Sequence, residues 1–305
     1  MNSLTKLSVS PHIHSGRSTS GIMRDVLISL LPATVAGAYI FGLRALLVLA
    51  VCVLCSVGFE ALFCLITKKP QTIGDLSAAV TGLILGLNLP ANVPIWQCAV
   101  GSLFAIIVVK CLFGGIGNNV VNPAITARVF MLVAFSSMTK AAFPVDAVAS
   151  ATPLTSGEMP TLLDTFLGSY GGAIGETCTA ALLLGGIYLI VRRVITWHIP
   201  VVFIGTVFVL SFLMEGFDAM AALSLIMTGG LFLGAIFMAT DYVTSPSTAW
   251  GKVIFALGAG LLTFLIRYFG TYPEGVSFAI LFMNILTPYI SRWTARPIFG
   301  AKGNK

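Results

Sequence analysis

Long runs of apolar residues recur along almost the whole sequence and decide what this chain can fold into. No charged residue lies between Arg44 and Glu60, for example. Charged residues are only 9% of the chain against 57% hydrophobic residues, and the mean hydropathy is +0.98. Soluble proteins carry about 25% charged residues, so lipid rather than water solvates a surface of this composition. A helix crosses the hydrocarbon with roughly 20 apolar residues. The sequence therefore predicts an all-α polytopic membrane protein with about ten transmembrane helices.

The apolar runs give the bounds of the expected helices. They cover residues 25–43, 44–66, 75–89, 94–112, 122–135, 171–191, 197–214, 219–238, 252–270 and 274–291. Runs 75–89 and 122–135 are short, and Gly or Pro marks their ends. Membrane folds use short, interrupted helices to place backbone polar groups around a buried ligand. These two runs are therefore candidate positions for a site.

Lysine and arginine positions predict the orientation, because cytoplasmic loops are enriched in both. With a cytoplasmic N-terminus, thirteen of them face inward, only Arg44, Lys140 and Arg267 face outward, and Arg128 lies within a span. The net charge of +6 then reflects topology and attraction to anionic membrane lipid, so no nucleic-acid partner is needed. The expected parts are a cytoplasmic arm at 1–23, a first transmembrane half at 24–135, an extracytoplasmic loop at 136–170, a second transmembrane half at 171–292 and a cytoplasmic tail at 293–305.

A modest internal similarity favours two repeats within the chain. Thr81-Gly82-Leu83 resembles Thr228-Gly229-Gly230-Leu231, and a long apolar helix that ends in Lys110 or Arg267 follows each copy. Five spans per copy is an odd number, so the second five-helix repeat would be inverted relative to the first. Chance similarity between apolar segments is the alternative.

The predicted loop 136–170 contains the stretch Asp146-Ala147-Val148-Ala149-Ser150-Ala151-Thr152-Pro153. Small residues leave space around the Thr152 hydroxyl, and Pro153 keeps the residue before it out of a helix. Taken alone, the stretch is typical of an ordinary loop with exposed hydroxyls that a modifying enzyme could reach. Asp146 could cap a turn or bind a cation.

The same stretch resembles the flavin-attachment motif of the family that contains RnfD, from Rnf complexes, and NqrB, from the sodium-pumping NADH:quinone reductase. That motif reads Asp, two variable residues, Ser or Thr, Gly or Ser, and then Ala-Thr, and its final Thr carries FMN through a phosphodiester bond. The resemblance implies that Thr152 is the attachment residue and that Asp146 is the leading acid. Ser150 and Ala151 complete the motif, whereas Ala149 departs from it where Ser or Thr is usual.

Further strings carry the resemblance along most of the chain. They are Ser10-Pro11-His12-Ile13 followed by 22–27, the segment 74–82, the Gly-rich turn 114–119 with Asn122-Pro123-Ala124, and the segment 237–241 with Thr244-Ser245-Pro246. The length of 305 residues resembles that of the RnfD members more than that of the longer NqrB members.

The resemblance implies a function as well as a fold. A member of this family is expected to be one subunit of an ion-translocating ferredoxin:NAD oxidoreductase in the bacterial cell membrane, passing electrons through covalent FMN in step with Na⁺ or H⁺ transport. Its six cysteines do not have iron–sulfur or metal spacing, so it is not expected to be catalytic alone. The implied partners are a second flavin-bearing subunit, membrane iron–sulfur subunits, and soluble subunits that handle NAD and ferredoxin.

Two predicted cytoplasmic turns are candidates for a second, non-covalent flavin such as riboflavin. The turn 114–119 offers glycines, which let backbone N–H groups approach a ligand, and the amides of Asn118 and Asn119, which both donate and accept. The turn 241–245 adds Asp241 and Thr244. Close helix packing with ordinary turn chemistry is the alternative.

Ionisable residues inside spans point to an ion pathway, because burying them in a membrane is unfavourable. Glu60 and Arg128 lie at similar depths, so they could pair with each other, while Glu176 enters from the outer face and Asp75 marks an inner helix end. Structural ion pairs or caps are the alternative. Lys110 and Arg267 are expected to extend to the membrane interface.

A different class of function also fits the apolar pattern. Interrupted helices and an inverted repeat are typical of a secondary transporter or channel, which would have no redox cofactor and would move solute by itself. The loop motif around Thr152 and the ordered family strings favour the redox subunit over this alternative.

Overall fold

The computed structural model describes residues 18–135, 162–168, 170–270 and 275–295. Twelve α-helices occupy these ranges: α1 Thr19–Phe41, α2 Leu43–Ile66, α3 Ser77–Leu87, α4 Ile95–Leu103, α5 Pro123–Ala134, α6 Leu162–Leu167, α7 Thr179–Val191, α8 His198–Met214, α9 Ala219–Met227, α10 Leu231–Leu233, α11 Ala249–Phe269 and α12 Gly275–Thr294. A short 3₁₀ turn at Ile73–Asp75 precedes α3. The predicted all-helical class is confirmed for this part of the chain.

Several of these helices are apolar enough to cross a membrane. Within the described ranges, α1, α2 and α11 each have the length and composition of a complete span. The pair α9–α10 passes the same test as one span that is bent by 67°. The helices α3, α5, α7 and α8 and the stretch Ile95–Cys111 are apolar but shorter.

Side chains on the outside of the bundle support the same interpretation. Many large apolar residues are exposed, among them Leu54, Leu65, Leu184, Ile187, Leu213 and Tyr289. In water, exposed apolar surface on this scale would favour aggregation. A hydrocarbon environment would cover it.

Two helices continue as π-helix, in which the backbone bonds span five residues. In α4 the continuation covers Phe104–Cys111, and Leu112 N donates to Ile107 O over 3.0 Å. In α10 it covers Gly234–Met238, where Ala239 N donates to Gly234 O over 2.8 Å. The first of these continuations carries Lys110 and the second leads to the turn that contains Asp241.

The bundle is built around close contacts between helices from both halves. The helix α2 packs on α3 and α4, and α11 packs on α8 and α12, while α1 meets α7 and α5 meets α12. The contact between α1 and α7 is tight at Gly185, because a Cβ there would overlap the backbone oxygen of Ser29. Glycines at such positions let membrane helices approach closely.

The helix predicted for 171–191 begins later than expected. Residues 170–178 are not helical, and α7 begins at Thr179. Their backbone groups bond instead to the end of α3, with Ile174 N donating to Leu89 O over 3.0 Å and Gly175 N donating to Leu87 O over 2.7 Å. This buried segment, called here the 170–178 hairpin, fills space between α3 and α9. It follows the short helix α6, which lies within the predicted loop 136–170.

Candidate functional site

The two turns singled out in the sequence border one cavity. Its enclosed volume is roughly 100 Å³, or roughly 800 Å³ with the open space at its mouth, and its walls come from α1, α3, the end of α7, and the turns after α4 and α10. Asn119 and Asp241 both line it, together with Ser77, Thr81 and Lys110. The rest of the wall is mainly apolar. An apolar lining with a few convergent polar groups is typical of a small-molecule site.

The Gly-rich turn after α4 requires its glycines. Gly114, Gly115 and Gly117 have φ angles of 112°, 89° and 91°, a region that residues with a Cβ rarely adopt. At the exposed side of the turn, Asn118 Nδ2 donates to Gly114 O over 3.4 Å. The neighbouring Asn119 faces the cavity, and its Oδ1 atom is buried without a hydrogen-bond partner among the described residues. A buried acceptor of this kind favours a ligand that donates to it.

Buried amides fasten the two turns to each other. Asn122 caps α5 by accepting from Ala124 N over 3.0 Å and from Ile125 N over 3.3 Å. Its Nδ2 donates over 3.2 Å to Met238 O, just before the second turn. Asn284 on α12, with its amide oriented so that both atoms find partners, donates to Thr244 O and accepts from Asn122 N. The cavity therefore has a rigid rim.

The second turn holds its acid in place through local bonds. Thr244 Oγ1 donates to Asp241 Oδ2 over 3.1 Å, and Thr287 Oγ1 on α12 donates to Thr244 O over 2.8 Å. Burial raises the pKa of the Asp241 carboxyl, whereas the hydrogen bonds from Thr244 and from the backbone of the turn act in the opposite direction. Asp241 lines the cavity, whereas Thr244 does not. Thr244 therefore acts by positioning the Asp241 carboxyl group.

Lys110 forms a buried ion pair beside this cavity. Its Nζ atom lies 2.7 Å from Glu60 Oε1, and both side chains are only 2% exposed. Lys110 also donates to the Ser77 hydroxyl, which in turn donates to Asp75 Oδ1. Thr72 Oγ1 donates to the same Glu60 oxygen over 2.8 Å. The predicted extension of Lys110 to the membrane interface is wrong, because its partner lies inside the bundle.

The predicted pairing of Glu60 with Arg128 is also wrong. Arg128 Nη2 lies 3.1 Å from Glu176 Oε1, and these side chains are 5% and 2% exposed. Depth along a helix is similar for Glu60 and Arg128, but depth does not say which way a side chain faces. The four residues expected in an ion pathway thus divide into two clusters, with Glu60 and Asp75 in one and Arg128 and Glu176 in the other.

Arg267 belongs to the second cluster, with Arg128 and Glu176. The sequence did not predict that Arg267 would join them. Its guanidinium donates to two backbone carbonyls of the α9–α10 break, Leu225 O over 3.0 Å and Thr228 O over 3.2 Å. Tyr170 Oη donates to Met227 O over 3.2 Å and to Glu176 O over 3.1 Å. The expectation that Arg267 reaches the interface is wrong for this conformation. The Gly-Gly pair at Gly229-Gly230 was the available sequence signal, since it breaks a helix.

The residues of the predicted flavin motif lie outside the described residues. This concerns Asp146, Ser150, Ala151 and Thr152. The nearest described neighbours are the end of α5, with Phe135 following it, and the start of α6 at Leu162.

Comparison with known proteins gives the family. Residues 6–300 match the family described as NQR2, RnfD, RnfE. The D subunit of the Na(+)-translocating ferredoxin:NAD(+) oxidoreductase complex of Acetobacterium woodii is 47% identical over 98% of this chain and 97% of its own length. The D subunit of the proton-translocating ferredoxin:NAD(+) oxidoreductase complex of Clostridium ljungdahlii is 43% identical over 97% and 96%. The D subunit of the ion-translocating oxidoreductase complex of Stutzerimonas stutzeri is 38% identical over 90% of both. The chain therefore belongs to the NQR2, RnfD, RnfE family.

Proposed function

We propose that this chain is the membrane subunit of an Rnf-type ferredoxin:NAD oxidoreductase that carries FMN covalently on Thr152. The observation that carries the proposal is near-complete coverage of relatives that are named as the D subunits of such complexes, at up to 47% identity. FMN supplies one- and two-electron transfer when it is bound. The chain itself would position the flavin and move Na⁺ or H⁺ across the membrane.

The role of Thr152 rests on the order of small residues and hydroxyls in the loop. Ser150-Ala151-Thr152 matches the end of the family's attachment motif, and Asp146 matches its beginning. A phosphodiester to Thr152 would fix the cofactor beside a partner without a deep binding pocket. The loop leads through α6 into the 170–178 hairpin, so it is joined to a buried part of the bundle.

Denaturing gel electrophoresis with ultraviolet detection tests the attachment site. The wild-type band should fluoresce, and a peptide from 136–170 should carry the added mass of FMN on Thr152. The variant Thr152→Ala should lose the fluorescence, whereas Thr155→Ala, three residues along the same loop, should keep it. Fluorescence that persists in Thr152→Ala at the mass of this chain would exclude Thr152 as the site.

A second, non-covalent flavin such as riboflavin would occupy the cavity between the two turns. Its apolar walls suit a ring system, and the unpartnered Asn119 Oδ1 would accept a hydrogen bond from the ring's N–H edge. Asp241 would lie across the same cavity. Asn118 and Thr244, which were also predicted to bind, would act through the shape of the turns instead, because their side chains bond within them.

The membrane arrangement in this proposal has about ten spans in two inverted sets of five. The helices α1–α5 would form the first set, and α7, α8, the bent pair α9–α10, α11 and α12 would form the second. Lys110 near the end of α4 and Arg267 near the end of α11 would then occupy equivalent positions in the two sets, Lys110 toward the cytoplasmic face and Arg267 toward the outer face. Both termini would be cytoplasmic and the flavin loop extracytoplasmic.

Fusion reporters test this topology. A green fluorescent protein fused after Lys305 should fluoresce, because it folds in the cytoplasm. Alkaline phosphatase fused within the loop should be active, because it requires the extracytoplasmic side.

The proposal also includes an ion path and an assembly. Glu60 and Asp75 would lie behind the cytoplasmic cavity, bonded to Lys110 and Ser77, which line it. Arg128 and Glu176 would lie toward the outer face. The partners would be the other subunits of an Rnf-type complex: a second flavin-bearing subunit, membrane iron–sulfur subunits, and soluble subunits for NAD and ferredoxin. A tagged copy of this chain should purify with these subunits after mild solubilisation.

One observation favours a secondary transporter or channel without a redox cofactor as a second candidate. The bent pair α9–α10 is the kind of discontinuous helix that transporters use around their ions. This alternative predicts a colourless purified chain that moves solute alone in liposomes. A yellow chain with an FMN absorption spectrum contradicts it.

A further inference from the structure

The bend between α9 and α10 leaves backbone groups without helical partners. Thr228, Gly229 and Gly230 interrupt the helix, and the two parts meet at 67°. Thr228 is fully buried and Gly230 is buried, whereas Gly229 is partly exposed. The carbonyls at the end of α9 also carry the negative end of its dipole. In broken transporter helices, such carbonyls coordinate Na⁺ or another cation.

Here a side chain takes the position that a free cation would occupy. The guanidinium of Arg267 reaches from α11 and donates to Leu225 O over 3.0 Å and to Thr228 O over 3.2 Å. The Tyr170 hydroxyl and Thr179 Oγ1 donate to the third carbonyl, Met227 O, over 3.2 Å and 3.4 Å. These three carbonyls therefore have donors from the protein itself, and Leu225 O also accepts from the Thr228 hydroxyl over 3.0 Å.

The other side of the break has the opposite charge. A Cβ placed on Gly230, where α10 begins, would lie 2.6 Å from Glu176 Oε1, so the carboxylate rests against this backbone. A carboxylate is favourable at the amino end of a helix. Arg128 from α5 holds the same oxygen over 3.1 Å. The cluster of Arg128, Arg267 and Glu176 has two positive charges and one negative charge, a net charge of +1.

A net positive charge in a dry part of the bundle opposes the passage of another cation. Coulomb repulsion between like charges is strong where water is scarce, and fixed arginines exclude protons and cations from other membrane pores. Without Arg267 the same cluster would be neutral, Thr228 O would lose this donor, and Leu225 O would keep only the Thr228 hydroxyl, which donates to it over 3.0 Å. Removing the arginine thus converts a barrier into a place where a cation is stabilised.

We propose that Arg267 is a resident cation that closes the α9–α10 break and prevents passive leakage of Na⁺ and H⁺ through this chain. The inference requires that the bundle spans a membrane, and it does not depend on a flavin. It assigns to Arg267 the task of keeping the ion gradient while electrons do not flow. On the other side of the break, Glu176 contacts the start of α10 at Gly230, and Arg128 holds Glu176 in that position.

The test measures leakage in the absence of redox substrates. The purified complex is reconstituted into liposomes, a potassium diffusion potential is applied with valinomycin, and ²²Na⁺ entry and internal acidification are followed in separate samples. The variants Arg267→Met and Arg267→Gln should leak at least about tenfold faster than wild type in one or both assays. The Gln variant keeps N–H donors for the carbonyls but has no charge, so it serves if the Met variant does not assemble.

Three matched variants separate charge from packing. Arg267→Lys keeps the positive charge and should remain tight. Glu176→Gln makes the cluster more positive and should also remain tight. Arg192→Gln removes an arginine whose side chain is 54% exposed and should behave as wild type.

The proposal is overturned if a correctly assembled Arg267→Gln complex is as tight as wild type. It is equally overturned if Glu176→Gln leaks as much as Arg267→Gln, since packing damage alone would then explain the leak. The in-gel flavin fluorescence of the same samples reports on Thr152 separately. Absence of flavin therefore contradicts the proposed redox function without deciding the outcome of the leak test.

Discussion

Lys110 Nζ lies 2.7 Å from Glu60 Oε1 inside the bundle, and neither side chain is more than 2% exposed. The lysine comes from the π-helical end of α4 and the carboxylate from α2, so this contact joins two helices. Ser77 and Thr72 contribute hydrogen bonds to the pair. Breaking a buried pair leaves one charge without compensation, which is more unfavourable than losing an exposed pair.

We therefore expect Lys110→Met to destabilise the chain by about 3–5 kcal/mol, because Glu60 stays buried and charged. The double variant Lys110→Met/Glu60→Gln should recover most of the loss. Thermal unfolding in detergent, followed by tryptophan fluorescence, is measured for wild type, Lys110→Met, Glu60→Gln and the double variant, which completes a double-mutant cycle. As a control, Arg192→Gln breaks a partly exposed contact with Asp25, in which the arginine is 54% and the aspartate 13% exposed. It should cost less than Lys110→Met, about 1 kcal/mol. Additive effects of the two buried substitutions would contradict a direct interaction.

The cavity between the two turns predicts different effects for neighbouring asparagines. Asn119→Ala removes the buried acceptor that faces the cavity, and we expect non-covalent flavin to bind about tenfold more weakly, the equivalent of one lost hydrogen bond. Asn118→Ala, on the exposed side of the turn, should leave binding nearly unchanged. Flavin released by acid from the purified complex is measured, and covalent FMN remaining on the chain serves as the internal standard. Equal losses in both variants, or no released flavin in wild type, would argue against a second flavin here.

Asp241 predicts a pH dependence of stability. Burial raises the pKa of its carboxyl in the folded chain, so the folded state binds the proton more tightly than the unfolded state does. Stability is therefore highest below the ordinary pKa of an aspartate and falls as the pH rises through the folded pKa. The variant Asp241→Asn carries no such charge. It should unfold at a higher temperature than wild type at pH 7, and the difference should disappear at low pH. A difference that is the same at both pH values would mean that charge is not the cause.

The extent of the helices could be predicted because it depends mainly on the length of apolar runs. Eight of the ten predicted runs begin within three residues of an observed helix, whereas the run 25–43 begins six residues after the start of α1 and the run 171–191 begins eight residues before the start of α7. Residues 170–178 are as apolar and as rich in glycine as a helix interface, so composition alone does not distinguish them. Their backbone bonds go to Leu87 at the end of α3 and to Leu89 just beyond it, a tertiary contact that no local pattern contains.

The charge partners were less predictable for a related reason. The position of a residue along a span gives its depth, but the face that it presents depends on helix rotation. The π-helical stretch Phe104–Cys111 changes that rotation near Lys110. The preference of an intramembrane lysine for a carboxylate was available from physical chemistry alone, and Glu60 was the nearest candidate in the first half. Asn119 and Asp241 line one cavity, and the role of the two turns in binding a flavin stays a prediction.

The contact between α1 and α7 gives a final prediction, in which two glycines on adjacent helices should respond in opposite ways. A Cβ at Gly185 would overlap the backbone oxygen of Ser29, and a backbone atom can move only if the two helices separate. We expect Gly185→Ala to destabilise the chain by about 1–3 kcal/mol. At Gly205 on α8 no atom lies within 4 Å of the added Cβ, so Gly205→Ala should be neutral or stabilise by up to about 1 kcal/mol through better helix propensity. Thermal unfolding in the same detergent measures both variants, and a loss at Gly205 as large as that at Gly185 would mean that helix separation is not the cause.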